Sequence, residues 1–442
     1  MEPPRETKRY AAPDSRSRAL YERALAVMPA GNTRHSIALS PYPVYARSGR
    51  GCIVTDVEGE DRVDFLNNFT ALILGHADPA VTLAVQERVA NGTAFAMPAA
   101  PDVELAELLI SRVGYIDEIR FTNSGSEAVM MAIQAARAYT GRANVAKFEG
   151  AYHGTYDWAQ VSEGPGAENW GLENAPASVA GRGSPDSVAA ETLVLPWNDL
   201  AACRELIRGG AGSLAAVIFD PLPVGIGMIA PGPGFLEMLR DETSRAGIVL
   251  IADEVLTFRL GYHGALQECG MNPDLTCLGK IIGGGFPVGA VGGSRKVMEV
   301  FDHRKAGYVH HGGTFNANPV TMTAGLETMR QMTPEAFDRL NSLGGYLREK
   351  LTAAVRAAGR PIQVCGKGSL FVGHLSAEPL TGYRSMKGYS RTSPVYTELC
   401  HRMLKRGFLT SPRGIFGCLS TPMTEAELDG FAAAVAASLS ES

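Results

Sequence analysis

The chain reads as an α/β protein with a mostly parallel central sheet covered on both faces, followed by a smaller α+β unit. Three observations predict this. From about residue 116, short and continuously apolar runs alternate with helix-length amphipathic stretches, the pattern of strands buried on both faces. Glycine, 50 of 442 residues, gathers at the turns between those runs. Beyond Asn318-Pro319 the alternation gives way to a long helical stretch and then to shorter mixed elements.

In chain order, residues 1–14 read as a flexible arm and 15–28 as an amphipathic helix stopped by Pro29 and Gly31. Residues 32–36 are loop. Residues 45–65 suggest a small hairpin or meander turning at Glu58-Gly59-Glu60-Asp61. A helix is predicted over 102–113, a strand over 118–121, a helix over 126–140 and a strand over 144–148. Residues 164–190, rich in Gly, Ala, Ser and Pro, read as a surface excursion. Strands follow at 191–195 and 215–220, then a helix over 234–245. The most apolar strand, 247–252, ends in Asp253-Glu254, and further strands fall at 275–278 and 289–292. The gap from Asp253 to Lys280 holds one helix-sized segment, which sets two strand ends side by side in one sheet. Residues 319–332 form a long helix. Ser393 as N-cap, Pro394 at the first turn and Gly407 at the stop frame another, and Thr424 with Glu427 forms a capping box for the last.

Composition narrows the function classes. The chain is 45% hydrophobic and 20% charged, ordinary for a soluble globular protein, and long enough for two domains. A net charge of -5 gives no footprint for nucleic acid or an anionic membrane. Seven scattered cysteines, never in CxxC, point to reduced thiols in a cytoplasm and away from a disulfide framework or zinc site. The N-terminal residues lack an apolar signal region, and no apolar run is long enough to span a bilayer.

Five stretches carry chemistry. Thr276-Cys277-Leu278-Gly279-Lys280 ends an apolar run in a lysine, before Gly283-Gly284-Gly285. Partial desolvation there lowers an amine's proton affinity, which suits attack on a carbonyl to form a Schiff base. A surface lysine after an edge strand is the bland alternative. Asp253, at the carboxyl end of its strand, lies where ligands of open α/β sheets bind, and either pairs with a protonated ring nitrogen or caps the next turn. Thr122-Asn123-Ser124-Gly125-Ser126-Glu127 opens a helix and suits an anion, although a simple N-cap uses the same residues. It lacks a P-loop lysine, which argues against a nucleoside triphosphate. In Gly150-Ala151-Tyr152-His153-Gly154 a ring is offered for stacking on a flat ligand, or for packing. His311-Gly312-Gly313-Thr314-Phe315-Asn316 either adds Thr314 to a phosphate site or is a loop before a helix. Together these are the parts that pyridoxal 5′-phosphate requires.

TNSGSEAVMMAIQAARAYTGR, FEGAYHG, IADEV, LGKIIGGGFPVGAVGG and GGTFNANP resemble the class III aminotransferases of fold type I over nearly the whole chain. The nearest groups are the glutamate-1-semialdehyde aminomutases and the β-amino-acid (β-phenylalanine type) aminotransferases. The resemblance implies a large domain over 66–320 and a small α+β domain built from both chain ends: 1–65 (arm, helix and hairpin) and 321–442. It implies a pyridoxal 5′-phosphate transaminase, with Lys280 as imine lysine and proton shuttle and Asp253 on the pyridine nitrogen. Tyr152 and Val255 would cover the two ring faces, and Ser124, Gly125 and Ser126 would hold the phosphate. Thr314 would reach that phosphate from the neighbouring subunit of a homodimer. Asp220-Pro221 stands where the family usually has Glu-Pro, which leaves that acid's contact near the cofactor in doubt.

The substrate reading rests on two arginines. In Asn32-Thr33-Arg34 the arginine follows asparagine by two places, as in the β-amino-acid group, rather than by four as in the aminomutases. Thr410-Ser411-Pro412-Arg413-Gly414 resembles a Ser-Ser-Pro-Arg-Gly of the same group. Arg34 would grip the carboxylate of a β-amino acid, and Arg413 that of a 2-oxo acid acceptor or glutamate, unless both are surface arginines. His35 and His153 are expected as packed or solvated residues with at most a tuning part. The expectation is amino transfer from a β-amino acid to a 2-oxo acid, with aminomutase activity as the alternative. A nicotinamide-dependent dehydrogenase is remote, because residues 283–293 give no GxGxxG. Nothing favours a non-catalytic cofactor or partner binder, since the lysine and the aspartate are both present.

Overall fold

The computed structural model describes residues 10, 12, 14–387, 394–412 and 414–441. Two compact units divide the chain. The larger comprises Ala80–Phe337 and Leu380–Met386. The smaller gathers the described residues of Met1–Pro79, Asp338–Pro379 and Lys387–Ser442, so it draws on both chain ends.

Seven strands form the sheet of the larger unit: β1 (Glu118–Thr122), β2 (Asn144–Phe148), β3 (Thr192–Leu195), β4 (Leu214–Phe219), β5 (Val249–Asp253), β6 (Leu275–Gly279) and β7 (Gly289–Gly293). Their order is β1-β7-β6-β5-β4-β2-β3. Strands β3, β2, β4, β5 and β6 run parallel, whereas β7 is antiparallel to both β6 and β1. Every residue of β4 and β5 is buried, as their unbroken apolar runs require. Val217, Phe219, Leu250 and Ala252 pack into one core cluster, while Ala216, Ile218, Val249 and Ile251 pack into another. That period-two split puts an apolar core on each face of the sheet.

Ser124 Oγ accepts the N–H of Glu127 at 3.2 Å and starts helix α1 (Gly125–Thr140), which ends at left-handed Gly141. The chain between Asp253 and Lys280 departs from the expected helix. It contains two 3₁₀ turns, Thr257–Leu260 and Gln267–Cys269, and no α-helix. The buried Glu254 carboxylate accepts the N–H of Ala265 at 2.6 Å and folds the segment back on its start. Gly264 and Gly270, at φ +80° and +61°, then break any helical run. The 24-residue helix Pro334–Ala357 was hidden in the sequence by its Gly344-Gly345 pair. A Cβ at Gly344 would lie 1.9 Å from the carbonyl oxygen of Gly368, so close backbone approach fixes that glycine.

In the smaller unit, Ala46–Arg50, Ile53–Asp56 and Asp61–Asp64 form the expected antiparallel meander. Phe408–Leu409 joins it parallel to the third strand. Ile362–Cys365, Leu370–Leu375 and Ile415–Cys418 form a second, antiparallel sheet. Phe65 stacks on Phe431 at 4.0 Å between ring centroids, with Phe371 and Phe408 around the pair. Just beyond Phe65, four successive non-glycine residues take positive φ: Asn67 (47°), Asn68 (47°), Phe69 (53°) and Thr70 (75°). Left-handed backbone costs roughly 1–2 kcal/mol per such residue. Among the described residues, no helix is long and apolar enough to cross a membrane.

Candidate active site

Sheet register gathers the site. In β5 and β6, Asp253 lies level with Cys277, three residues before Lys280. Gly289 at the start of β7 pairs with Gly279 on one side and with Thr122 on the other. The lysine, the aspartate and the Ser124–Ser126 turn therefore share one end of one sheet. Glycine is demanded at these crossings. A Cβ at Gly289 would lie 2.0 Å from Ser124 O, and one at Gly125 would lie 2.8 Å from Val255 Cγ1. Val255 also faces Gly279, whose Cβ would lie 3.2 Å from Val255 Cγ1, so it wedges between the helix start and the end of β6.

Lys280 opens a 3₁₀ turn in the left-handed region, φ 51°, between Gly279 and left-handed Gly284. A non-glycine residue held there is a strained position of the kind that functional sites retain. Lys280 is half-buried, as are Ser124, Gly125 and Ser126. The first-turn N–H groups of α1 have no intrahelical acceptor, and the helix dipole adds positive potential.

Asp253 is 5% exposed. Its Oδ1 accepts the N–H of Val255 at 3.1 Å, and its Oδ2 lies 2.8 Å from His153 Nδ1. His153 is buried, the packed rather than the solvated branch of the sequence expectation, and it also has a carboxylate partner. Burial pushes its pKa down, and the Lys147 charge adds to the effect, against the pull of Asp253. A neutral His153 donates Nδ1–H to Asp253, which leaves Nε2 buried without a partner among the described residues. The tie spans 100 residues of chain, so no local motif announced it.

The turn before His153 is clamped from below. Lys147 on β2 is 1% exposed and donates to Ala151 O at 2.9 Å and Val161 O at 2.5 Å. Desolvation lowers its pKa to about 7. Gly225 packs so closely that a Cβ would lie 2.0 Å from Gly150 O. Gly154 abuts Ser126, whose Oγ accepts the N–H of Thr155 at 3.1 Å. The Tyr152–His153 turn is thus tied to the helix start and to Asp253, and Tyr152 stands 49% exposed. Two more acids adjoin. Asp220 accepts the N–H of Leu222 at 2.8 Å; burial first and the Asp253 charge second push its pKa well up. Desolvation raises Glu254 to about 7, while it accepts from Tyr115 Oη at 2.9 Å.

Residues 37–424 match the family described as Aminotransferase class-III. The chain belongs to the class-III aminotransferase family. Enzymes of this family depend on pyridoxal 5′-phosphate, and the fold is that of the fold type I enzymes. The glutamate-1-semialdehyde 2,1-aminomutase of Methanothermobacter thermautotrophicus is 39% identical over 413 residues, 93% of this chain and 96% of that protein. Among solved structures, an omega-transaminase from Sphaerobacter thermophilus is 48% identical, with TM-score 0.93 over 98% of this chain and 99% of that one. A β-phenylalanine aminotransferase from Variovorax paradoxus is 33% identical, with TM-score 0.84 over 95% and 93%. The residues of this class-III aminotransferase fit the cofactor. A strained, half-buried amine, a carboxylate with a histidine behind it and a glycine-cradled helix start share one sheet end.

Arg34 lies in the smaller unit, exposed on the wall of a cavity of about 410 Å³. Its Nη1 donates to Asn68 Oδ1 at 2.9 Å, and its guanidinium stands 6.0 Å from the Phe69 ring centroid. Thr314 is exposed. Arg413 lies outside the described residues.

Proposed function

We propose that this chain is a transaminase that takes the amino group of a carboxylated amine, a β-amino acid, and delivers it to a 2-oxo acid. When bound, pyridoxal 5′-phosphate supplies a carbonyl carbon that accepts amines and a ring that spreads carbanion charge. Lys280 would hold it through Nζ. Ser124, Gly125 and Ser126 would hold its phosphate, aided by Thr314 from the second subunit of a homodimer. Tyr152 and Val255 would enclose the ring, with Asp253 at its nitrogen. Lys280 Nζ would then carry the proton from the donor's nitrogen-bearing carbon to the cofactor's C4′ carbon. Asp253 would keep a proton on the ring nitrogen, with His153 fixing the carboxylate's direction. Arg34 would bind the donor carboxylate and Arg413 that of the acceptor.

The observation that carries the chemistry is the convergence of Lys280 and the Asp253–His153 pair at one sheet end. For the substrate, transfer is supported by the 48% identity to the Sphaerobacter omega-transaminase, and the β-amino acid by the more distant Variovorax enzyme. The second reading is glutamate-1-semialdehyde aminomutase. The curated relatives carry that name at up to 39% identity, and on names they favour it over a β-amino acid donor. The purified protein should be given β-amino acids with pyruvate or 2-oxoglutarate, and separately glutamate 1-semialdehyde with no acceptor. Consumption of the β-amino acid with 2-oxo acid turnover is expected. Semialdehyde isomerisation without acceptor, and no β-amino acid turnover, establishes the second reading instead.

A further inference from the structure

Leu380–Met386 lies late in the chain yet belongs to the larger unit. Ser385 Oγ folds the stretch by accepting the N–H groups of Thr381 and Gly382 at 3.0 and 3.1 Å. Tyr383 and Met386 are buried in the same core cluster as Phe148 and Ala151. Arg384, beside them, directs its donor fork at two other parts of that unit. Its Nε and Nη2 grip the two carboxylate oxygens of Glu149 at 2.8 and 3.1 Å. Its Nη2 also donates to Trp170 O at 2.6 Å and Leu172 O at 2.9 Å, and its Nη1 donates to Gly171 O at 3.4 Å. The guanidinium stands 5.4 Å from the Trp170 ring centroid.

These contacts end on a turn of the site. Glu149 and Gly150 lead into Tyr152 and into His153, the partner of Asp253. Gly150 sits at φ +76°, and a Cβ there would lie 2.0 Å from Tyr383 Cδ2. The Tyr383 ring therefore packs directly against the turn, while its Oη donates to Pro165 O at 3.0 Å. Among the described residues Arg384 is the ion-pair partner of Glu149, whose side chain is 5% exposed. A buried carboxylate needs such a partner, and a two-pronged arginine fixes its direction as well as its charge. Once Glu149 and Gly150 are fixed, so is the line on which the chain enters Tyr152.

We propose that Arg384 is a positioning residue of this enzyme: through Glu149, with the Tyr383 ring behind Gly150, it holds the turn that aims Tyr152 at the cofactor ring. This rests on the reading of Tyr152 as the ring's stacking partner. The test compares the holoenzyme of wild type, Glu149→Gln/Arg384→Gln, Tyr152→Leu and the three changes combined. The glutamine pair removes both charges together, so no lone carboxylate is left buried. Arg384→Lys, which keeps the charge and loses the fork, is the milder variant. Two quantities are read: the dissociation constant of pyridoxal 5′-phosphate, and the visible circular dichroism of the bound cofactor, which reports how the protein holds the ring. The glutamine pair is expected to weaken cofactor binding ~10-fold and to shrink the dichroic band, as Tyr152→Leu does. Arg384→Lys should move both in the same direction by less. In the Tyr152→Leu background the glutamines should add no more than ~2-fold, because the residue they act through is gone. A lower melting temperature with affinity and band unchanged means that Arg384 only stabilises the fold, and overturns the inference. Effects that multiply in the combined variant overturn it too, since the arginine then acts by another route. If Tyr152→Leu leaves both quantities unchanged, the reading of Tyr152 falls. If Tyr152→Leu moves them and neither the glutamine pair nor Arg384→Lys does, that reading stands and the role of Arg384 falls.

Discussion

Replacement of Lys147 by methionine should remove one pH-dependent contribution to stability. The Lys147 ammonium is buried, and among the described residues it is hydrogen-bonded to the carbonyls of Ala151 and Val161. Desolvation brings its pKa from 10.5 to about 7. A base whose proton affinity falls on folding makes the unfolded chain the stronger proton binder between those two values. Stability therefore rises with pH across that window, and the penalty is fully present below about 7. At 1.36 kcal/mol per pH unit the limit is roughly 5 kcal/mol by pH 10.5, and about 2 kcal/mol is gained between pH 7 and 9. In Lys147→Met this term vanishes, while the loss of two carbonyl partners costs a pH-independent ~1–3 kcal/mol each. Urea unfolding of both proteins from pH 6 to 9, at one fixed cofactor concentration, gives the difference in stability at each pH. Groups that do not feel the Lys147 charge, Glu254 among them, cancel in that difference. The wild type should gain on the variant as pH rises. A difference constant to within about 0.5 kcal/mol, the scatter of ordinary surface substitutions, would show that Lys147 keeps its charge in the fold and refute the reasoning.

Gly289→Ala should destabilise by about 1–3 kcal/mol or more, because its Cβ would fall 2.0 Å from the carbonyl oxygen of Ser124, and backbone cannot yield cheaply; a thermal scan that matches wild type would remove the crossing from the argument. Asp253→Asn keeps the shape but removes the charge opposite His153, so kcat should fall about 10²-fold or more with little change in unfolding temperature. A kcat within about twofold of wild type would mean that the carboxylate charge plays no part in the reaction.

Much of the larger unit was legible because its signals are local. The strand that ends at Asp253 and the one that leads to Lys280 are continuous apolar runs, and an element buried on both faces leaves little freedom in where it stops. Two groups escaped for opposite reasons. His153 acquires its partner 100 residues away, across the sheet, which no spacing rule reaches. Lys147 interrupts the run Asn144–Phe148, and a lysine in a strand ordinarily signals a wet face; here two carbonyls from the following loop satisfy it inside. Asn67–Thr70 was opaque too. Left-handed backbone is read from glycine, and none of its four residues is one, so the conformation comes from Asp64, Cys418 and Leu66 rather than from the turn's own sequence.

The electrostatics of the strand ends explain why three acids can stand so close together. Asp220, Asp253 and Glu254 are all buried, and three carboxylates there would repel one another and lose their hydration. The structure relieves this unequally. Burial and the Asp253 charge push Asp220 well up, and desolvation brings Glu254 to about 7. The N–H of Val255 and the imidazole of a neutral His153 are both aimed at Asp253. The aspartate that replaces the family's usual glutamate at position 220 then alters the shape of the site more than its charge: the shorter side chain turns back to its own backbone at Leu222. Lys147 beneath the same turn adds to this, since its charge, where present, works with burial to hold the His153 pKa down.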